Sequence, residues 1–163
     1  MEPIKNIPDT AGKKRVVIVG GGFAGLELAR RLDRKYFQVV MIDKVNYFQF
    51  QPLFYQVATG GLEPSSITYP HRMSFRRHRG IYFRMCKALR TVPEKKVLET
   101  SIGYIEYDRL VIATGCGTNY FGNDTLKDTT FALKSISEAL LLRNRILLSL
   151  EEAVATKDEA RLG

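Results

Sequence analysis

The sequence predicts an α/β fold in which a parallel sheet packs against helices. Three consecutive patterns support this prediction: a β-branched run at residues 16–19, a glycine-rich turn at residues 20–25, and a helical pattern that begins at Leu26. A second apolar strand is predicted over residues 37–42, and it ends in Asp43. This order is typical of a parallel sheet, because a helical crossover brings the chain back to the end of the sheet at which the first strand began.

The glycine turn has the spacing of a turn that binds a dinucleotide. Gly20 permits the tight exit from the strand, Gly22 permits backbone approach to a diphosphate, and Gly25 permits close packing of helix on sheet. The helix N-terminus favours an anion, and Asp43 has the spacing of a carboxylate that binds a ribose hydroxyl without a 2′-phosphate. We therefore predict a Rossmann-like fold. The alternative is a glycine turn without a ligand and an ordinary surface acid.

The composition is that of one ordinary domain, with 163 residues, 45% hydrophobic residues and a net charge of +8. Cys86 and Cys116 have neither CxxC nor metal-site spacing, so we expect no metal and a reduced, cytoplasmic compartment. Much of the positive charge lies in residues 72–90 without a nucleic-acid-binding motif. We interpret it as a solvated basic face and expect no nucleic acid partner. No apolar run reaches the roughly 20 residues of a membrane span.

We predict a flexible leader at residues 1–13 and a folded region at residues 14–163. The first helix is expected to end near Arg34. An aromatic loop follows Asp43, with a short helix at residues 53–58 and a helical turn at Pro64. Loops of this length in compact domains are often functional.

The region from residue 81 to residue 113 predicts β structure. Short strands separated by turns predict a small antiparallel β-meander that serves as the crossover into a buried parallel strand. The predicted strands cover residues 81–85, 88–92, 97–100, 104–105 and 109–113.

The last predicted helix begins after Ser135, which has capping-box spacing with Glu138, and ends near Ala155. We expect it to pack in a core, the alternative being a partner-binding or membrane-surface helix. His71 and His78 have no nucleophile or carboxylate at suggestive spacing. We expect both to be exposed and predict no catalytic residue.

Four segments together resemble the N-terminal part of the type II NADH dehydrogenases. They are GGGFAG at residues 20–25 with Asp43, NYFQFQPLFYQVATGGLEP at residues 46–64, YDRLVIATG at residues 107–115, and TNYFG at residues 118–122. The first and third are shared by the wider pyridine-nucleotide flavoprotein reductase superfamily. The second and fourth are more specific to its quinone-reducing branch, and the resemblance extends from residue 14 to about residue 160.

The resemblance implies that FAD binds at this first glycine turn. The diphosphate would lie on the turn, the adenosine ribose on the acid and its neighbour, and the flavin along the aromatic loop. The adenine edge would meet the third strand region, and the rest of the cofactor would pass close to the last strand. In that order, the implied residues are Gly20, Gly22, Phe23, Ala24 and Gly25; Asp43 and Lys44; Gln51 and Pro52; Ala88; and Ala113, Thr114 and Gly115.

The resemblance further implies a flavoprotein that passes electrons from NADH through FAD to quinone, on the cytoplasmic face of the inner membrane. The family's NADH-binding turn, its quinone segment and its membrane-contacting C-terminal helices have no counterpart here. We therefore expect an incomplete domain that is inactive alone. An uncovered sheet edge and apolar face should also favour self-association.

Two other functions stay open at this stage. One is a different FAD-dependent reductase of the same architecture, of the sulfide:quinone or ferredoxin type, for which Cys116 would be a candidate sulfur relay only by number. The other is a non-catalytic module, either one that binds NAD or an adenine nucleotide as a regulatory ligand or a protein-interaction piece.

Overall fold

The computed structural model describes residues 2–156. They form two compact units, the first from residues up to 48 with 69–116, and the second from residues 49–68 with those from 117 onward. The strands are β1 (Lys14–Val19), β2 (Phe37–Asp43), β3 (Tyr47–Gln49), β4 (Thr68–Pro70), β5 (Ile81–Met85), β6 (Ala88–Val92), β7 (Val97–Thr100), β8 (Gly103–Glu106) and β9 (Arg109–Ile112). The α-helices are α1 (Phe23–Arg31), α2 (Phe54–Ala58), α3 (His71–Ser74), α4 (Asp124–Thr129) and α5 (Ile136–Ala155), with 3₁₀ turns at Gln51–Leu53, Pro64–Ile67 and Pro93–Lys95.

The first unit contains a parallel sheet with the strand order β5-β2-β1-β9. This confirms the predicted α/β fold, and the β5 segment that was predicted together with the meander is the third strand of the main sheet. β9 lies at an edge of the described sheet, paired to β1 alone. The expectation of a buried last strand is therefore wrong, and Ile112 is 64% exposed.

The main sheet has an apolar layer on each face, because successive side chains of a strand point to opposite sides. Ile18 and Met41 pack in one layer with Leu26 and Ala29 of α1. The other layer joins the sheet to the meander, and its buried members are Ile4, Val17, Val19, Val40, Ile42, Cys86, Leu98 and Ile105. Helix and meander thus cover opposite faces.

The predicted antiparallel meander is formed by β6, β7 and β8. Part of the segment that we expected to be a flexible leader packs on it. Ile4 is buried, its N–H donates to the Tyr104 carbonyl at 2.9 Å, and the Tyr104 N–H donates to the Glu2 carbonyl at 2.9 Å. The N-terminal residues therefore form a short extension of the meander edge.

The second unit is built around α2 and the beginning of α5. Its core contains Phe54, Val57, Ala58, Ile67, Ile136 and Ala139. The Ser135 hydroxyl caps α5 by accepting the Glu138 N–H at 3.3 Å, as predicted, whereas the Glu138 carboxylate accepts the Lys134 N–H at 2.7 Å. The expectation that the whole helix packs in a core is wrong, since residues 144–155 are exposed. None of the helices within residues 2–156 has the length and apolarity needed to cross a membrane.

Candidate functional site

The glycine turn lies between β1 and α1, at the carboxyl ends of the parallel strands. The Gly20 N–H donates to the Ile42 carbonyl at 2.8 Å, which extends the pairing of β1 with β2 beyond Val19. Gly20 has φ of +107°, and a Cβ there would stand 2.3 Å from the Ala113 carbonyl oxygen. The turn therefore requires glycine at position 20, both for its backbone conformation and for the close approach of residues 113 and 114.

Asp43 ends β2 and turns its carboxylate towards the glycine turn. Its Oδ2 accepts the Gly21 N–H at 2.5 Å, and its Oδ1 accepts the Val45 N–H at 3.0 Å. Each oxygen keeps a second lone pair that can accept a hydrogen bond from a hydroxyl group. The side chain is half-buried, so these charge-assisted bonds fix its orientation while leaving it accessible.

The N-terminus of α1 has no anion from its own side chains. Gly22 is extended at the N-cap and contributes no side-chain cap, and the first turn contains no acidic residue. A Cβ on Gly25 would stand 1.9 Å from the Gly20 carbonyl oxygen, whereas a Cβ on Gly22 would meet nothing within 4 Å. Packing within the chain thus requires Gly25 but leaves open space at Gly22. The positive end of the helix faces that space, which suits a diphosphate.

Several side chains around the glycines of the turn are exposed. The Phe23 ring is 49% exposed and packs edge-on against Phe48, with the ring centroids 5.1 Å apart. Ala24 and Lys44 are exposed, on α1 and directly after β2 respectively.

The other predicted site residues fall into three groups. Residues 113 and 114 lie against Gly20, and Gly115 follows with φ of +70°. Ala88 is exposed at the start of the meander, and Gln51 and Pro52 begin a 3₁₀ turn in the second unit. The adenine role of Ala88 and the flavin role of residues 51 and 52 stay predictions. Cys116 is exposed.

The sequence interpretation missed His71, which the structure places beside the turn. Its side chain is 0% exposed, so the expectation of an exposed histidine is wrong. The ring packs against Phe83, with the centroids 5.0 Å apart. Burial lowers the pKa of His71, and the nearby Asp43 carboxylate offsets part of this effect. No local pattern marks this position, because the residues around it come from the glycine turn, β2 and β5.

The similarity of the chain to known proteins agrees with the geometry of the turn. Residues 14–153 match the pyridine nucleotide-disulphide oxidoreductase family. The chain belongs to this family. The match begins at the first residue of β1 and extends into α5, so it includes both units.

Among curated proteins, the chain is 36% identical to the type II NADH:quinone oxidoreductase Ndh of Mycobacterium tuberculosis, over 91% of this chain and 33% of the relative. Among solved structures, NDH2 of Plasmodium falciparum in complex with NADH superposes with a TM-score of 0.80 at 26% identity, over 90% of this chain and 31% of that one. The sulfide:quinone oxidoreductase of Aquifex aeolicus superposes with a TM-score of 0.74 at 29% identity, over 88% and 33%.

These relationships confirm the resemblance to type II NADH dehydrogenases and the FAD/NAD(P)-binding fold that it implied. The chain spans about a third of the length of these relatives.

Proposed function

We propose that this chain forms the FAD-binding region of an oxidoreductase that passes electrons from NADH to quinone. The observation that carries the proposal is the Gly21 N–H bonded to Asp43 at 2.5 Å, beside the open space at Gly22. This arrangement provides a diphosphate site and a ribose-binding carboxylate on adjacent strand ends. The relatives named NADH:quinone oxidoreductases supply the donor and the acceptor.

The residues of the first unit fit an adenine dinucleotide. Backbone N–H groups at the start of α1 would hold the diphosphate, and Asp43 would accept a hydrogen bond from the ribose. A 2′-phosphate would meet the Asp43 charge, so a ribose with free hydroxyls is favoured. The proposed binding residues in this unit are Gly20, Gly22, Phe23, Ala24, Gly25, Asp43, Lys44, Ala88, Ala113, Thr114 and Gly115.

The chemistry of the whole protein would be that of its cofactor. When bound, FAD would supply the redox chemistry, as acceptor of a hydride and donor of two electrons. The protein would supply binding, orientation and electrostatics. We assign no side chain of this chain as an acid, base or nucleophile. We expect the chain alone neither to oxidise NADH nor to reduce quinone.

A binding experiment tests the cofactor assignment. FAD, NADH and ADP are titrated separately into the purified chain by isothermal calorimetry. We expect FAD to bind more tightly than NADH, and ADP to compete with FAD because the two share the adenosine diphosphate group. A preference for NADH would contradict the assignment of this turn to FAD, and binding of ADP alone would favour a non-catalytic nucleotide module.

The sulfide:quinone type is the second candidate, because a protein of that name superposes over 88% of the chain. Such chemistry requires an accessible sulfur near the flavin, and Cys116 is exposed directly after Gly115. Sulfide added to the whole, FAD-loaded protein would bleach the flavin absorbance only in this case. Bleaching by NADH without a response to sulfide supports the NADH assignment.

We propose that the whole protein lies on the cytoplasmic face of the inner membrane, since its proposed acceptor, quinone, is in the membrane and its proposed donor, NADH, is in the cytoplasm. Cell fractionation of the whole protein, with protease accessibility from each side, tests this location. We also propose that the present chain self-associates through exposed apolar residues of α5.

A further inference from the structure

His71 lies directly behind the glycine turn. Its ring atoms Cε1 and Nε2 are 2.4 and 2.5 Å from the point where a Cβ on Gly21 would stand. A side chain at position 21 would therefore displace the imidazole. Gly21 is also the residue whose N–H donates to Asp43. The imidazole thus fills the space behind the one residue that links the turn to the acid.

Neighbours from several elements fix the position of the ring. The backbone N–H of His71 donates to the Asn46 carbonyl at 2.9 Å, and the Phe83 ring of β5 packs against the imidazole. The charged group facing it from β2 is the Asp43 carboxylate. On its own helix, the Arg72 guanidinium lies over the Phe83 ring at 5.5 Å from the centroid. Burial is the larger influence on the charge of the imidazole, and the Asp43 carboxylate opposes it.

The ring is both buried and unpaired. Neither Nδ1 nor Nε2 has a hydrogen-bond partner among the described residues. No hydrogen bond within the described residues therefore fixes the protonation state of the ring, and its charge depends on burial and on the negative groups near it. A second negative group near Asp43 would favour the protonated ring. A diphosphate at the N-terminus of α1 would supply that charge.

We propose that His71 is a positioning residue of the dinucleotide site, which supports Gly21 and Asp43 and takes up a proton when the diphosphate binds. This inference rests on the proposed function, since it requires a dinucleotide on the glycine turn. Because the bound state holds the proton more strongly, FAD affinity increases as the pH falls. One linked proton limits the increase to about tenfold for each pH unit.

The test compares FAD binding by the whole chain, its His71→Gln variant and its His78→Gln variant, from about pH 8 to about pH 6, the range in which histidines titrate. His78 is the matched control, because the chain has only two histidines. We expect the affinity of the unmodified chain and of His78→Gln to increase about threefold to tenfold over this range, and that of His71→Gln to change by less than about twofold.

Proton NMR of the unmodified chain gives an independent readout without mutation. One of the two imidazole signals should titrate at higher pH when FAD is present. Flavin binding with an equal pH slope in His71→Gln, or with unshifted imidazole titrations, would overturn this inference and leave the proposed function intact. Absence of flavin binding at every pH would overturn both.

Discussion

Asp43 provides the most direct test of the site at the scale of single residues. Replacing it with Asn removes the negative charge that orients the Gly21 and Val45 N–H groups. We expect Asp43→Asn to weaken FAD binding about tenfold or more, because hydrogen bonds to a charged group are worth about 1.5–3 kcal/mol.

Asp9→Asn is the matched control for this charge change, since Asp9 is exposed and precedes β1. Calorimetric titration with FAD measures both variants. Equal affinities would remove Asp43 from the site.

Substitutions at Gly22 and Gly25 distinguish an effect on FAD binding from an effect on folding. A methyl group at position 25 would meet the Gly20 carbonyl oxygen, whereas one at position 22 enters open space. We expect Gly25→Ala to reduce the free energy of unfolding by about 3 kcal/mol, because the backbone must shift to relieve overpacking. Gly22→Ala should change it by less than about 0.5 kcal/mol and weaken FAD binding.

Urea unfolding and FAD titration of both variants check this contrast. Full FAD affinity in a stable Gly22→Ala chain would contradict a diphosphate at that position.

His71 also predicts how stability depends on pH. Because burial lowers its pKa in the folded state, the unfolded chain binds a proton more readily. The contribution of His71 is fully present above about pH 6.5, the ordinary histidine pKa, and is lost as the pH falls below it. We expect the urea midpoint to fall between about pH 7.5 and about pH 5.5, and to fall less in His71→Gln. An identical fall in both chains would assign it to other groups.

At the scale of elements, the start of α5 depends on its cap. The Ser135 hydroxyl accepts the Glu138 N–H, and the first turn of the helix packs against α2 through Ile136 and Ala139. We expect Ser135→Ala to destabilise the second unit by about 1 kcal/mol, because a backbone N–H loses its partner. Ser137→Ala, in the same turn but exposed, is the control and should change stability by less than about 0.5 kcal/mol. Urea unfolding followed by circular dichroism distinguishes them.

Local sequence patterns were sufficient for most elements of the main sheet. The glycine turn, β2 and the meander lie where the periodicity and the turn residues predict them. The first helix ends at Arg31 instead of Arg34, and the role of β5 was not predicted. A short apolar strand carries no information about its partner, so pairing with β2 or with the meander has to be decided by packing.

At the scale of the whole molecule, exposed apolar residues favour association. Leu147, Leu150 and Val154 recur at helical spacing on α5 and are 51%, 58% and 86% exposed. We expect Leu150→Lys to shift the chain towards monomer, because it interrupts this stripe with a charge. Ser149→Lys adds the same charge beside the stripe and is the control. Sedimentation at several concentrations measures both, and a monomeric unmodified chain would contradict the proposed self-association.

The sequence by itself determined the order strand, glycine turn, helix, strand and acid, because each of these depends on near neighbours along the chain. It also determined the family, through motifs that are contiguous. The tertiary structure decided which groups meet: Gly21 with Asp43 and His71, Gly20 with Ala113, and β9 at a sheet edge. These contacts join residues that are far apart in sequence, and parallel pairing and burial bring them together. For that reason a histidine without any local motif lies against the turn that the sequence had already identified.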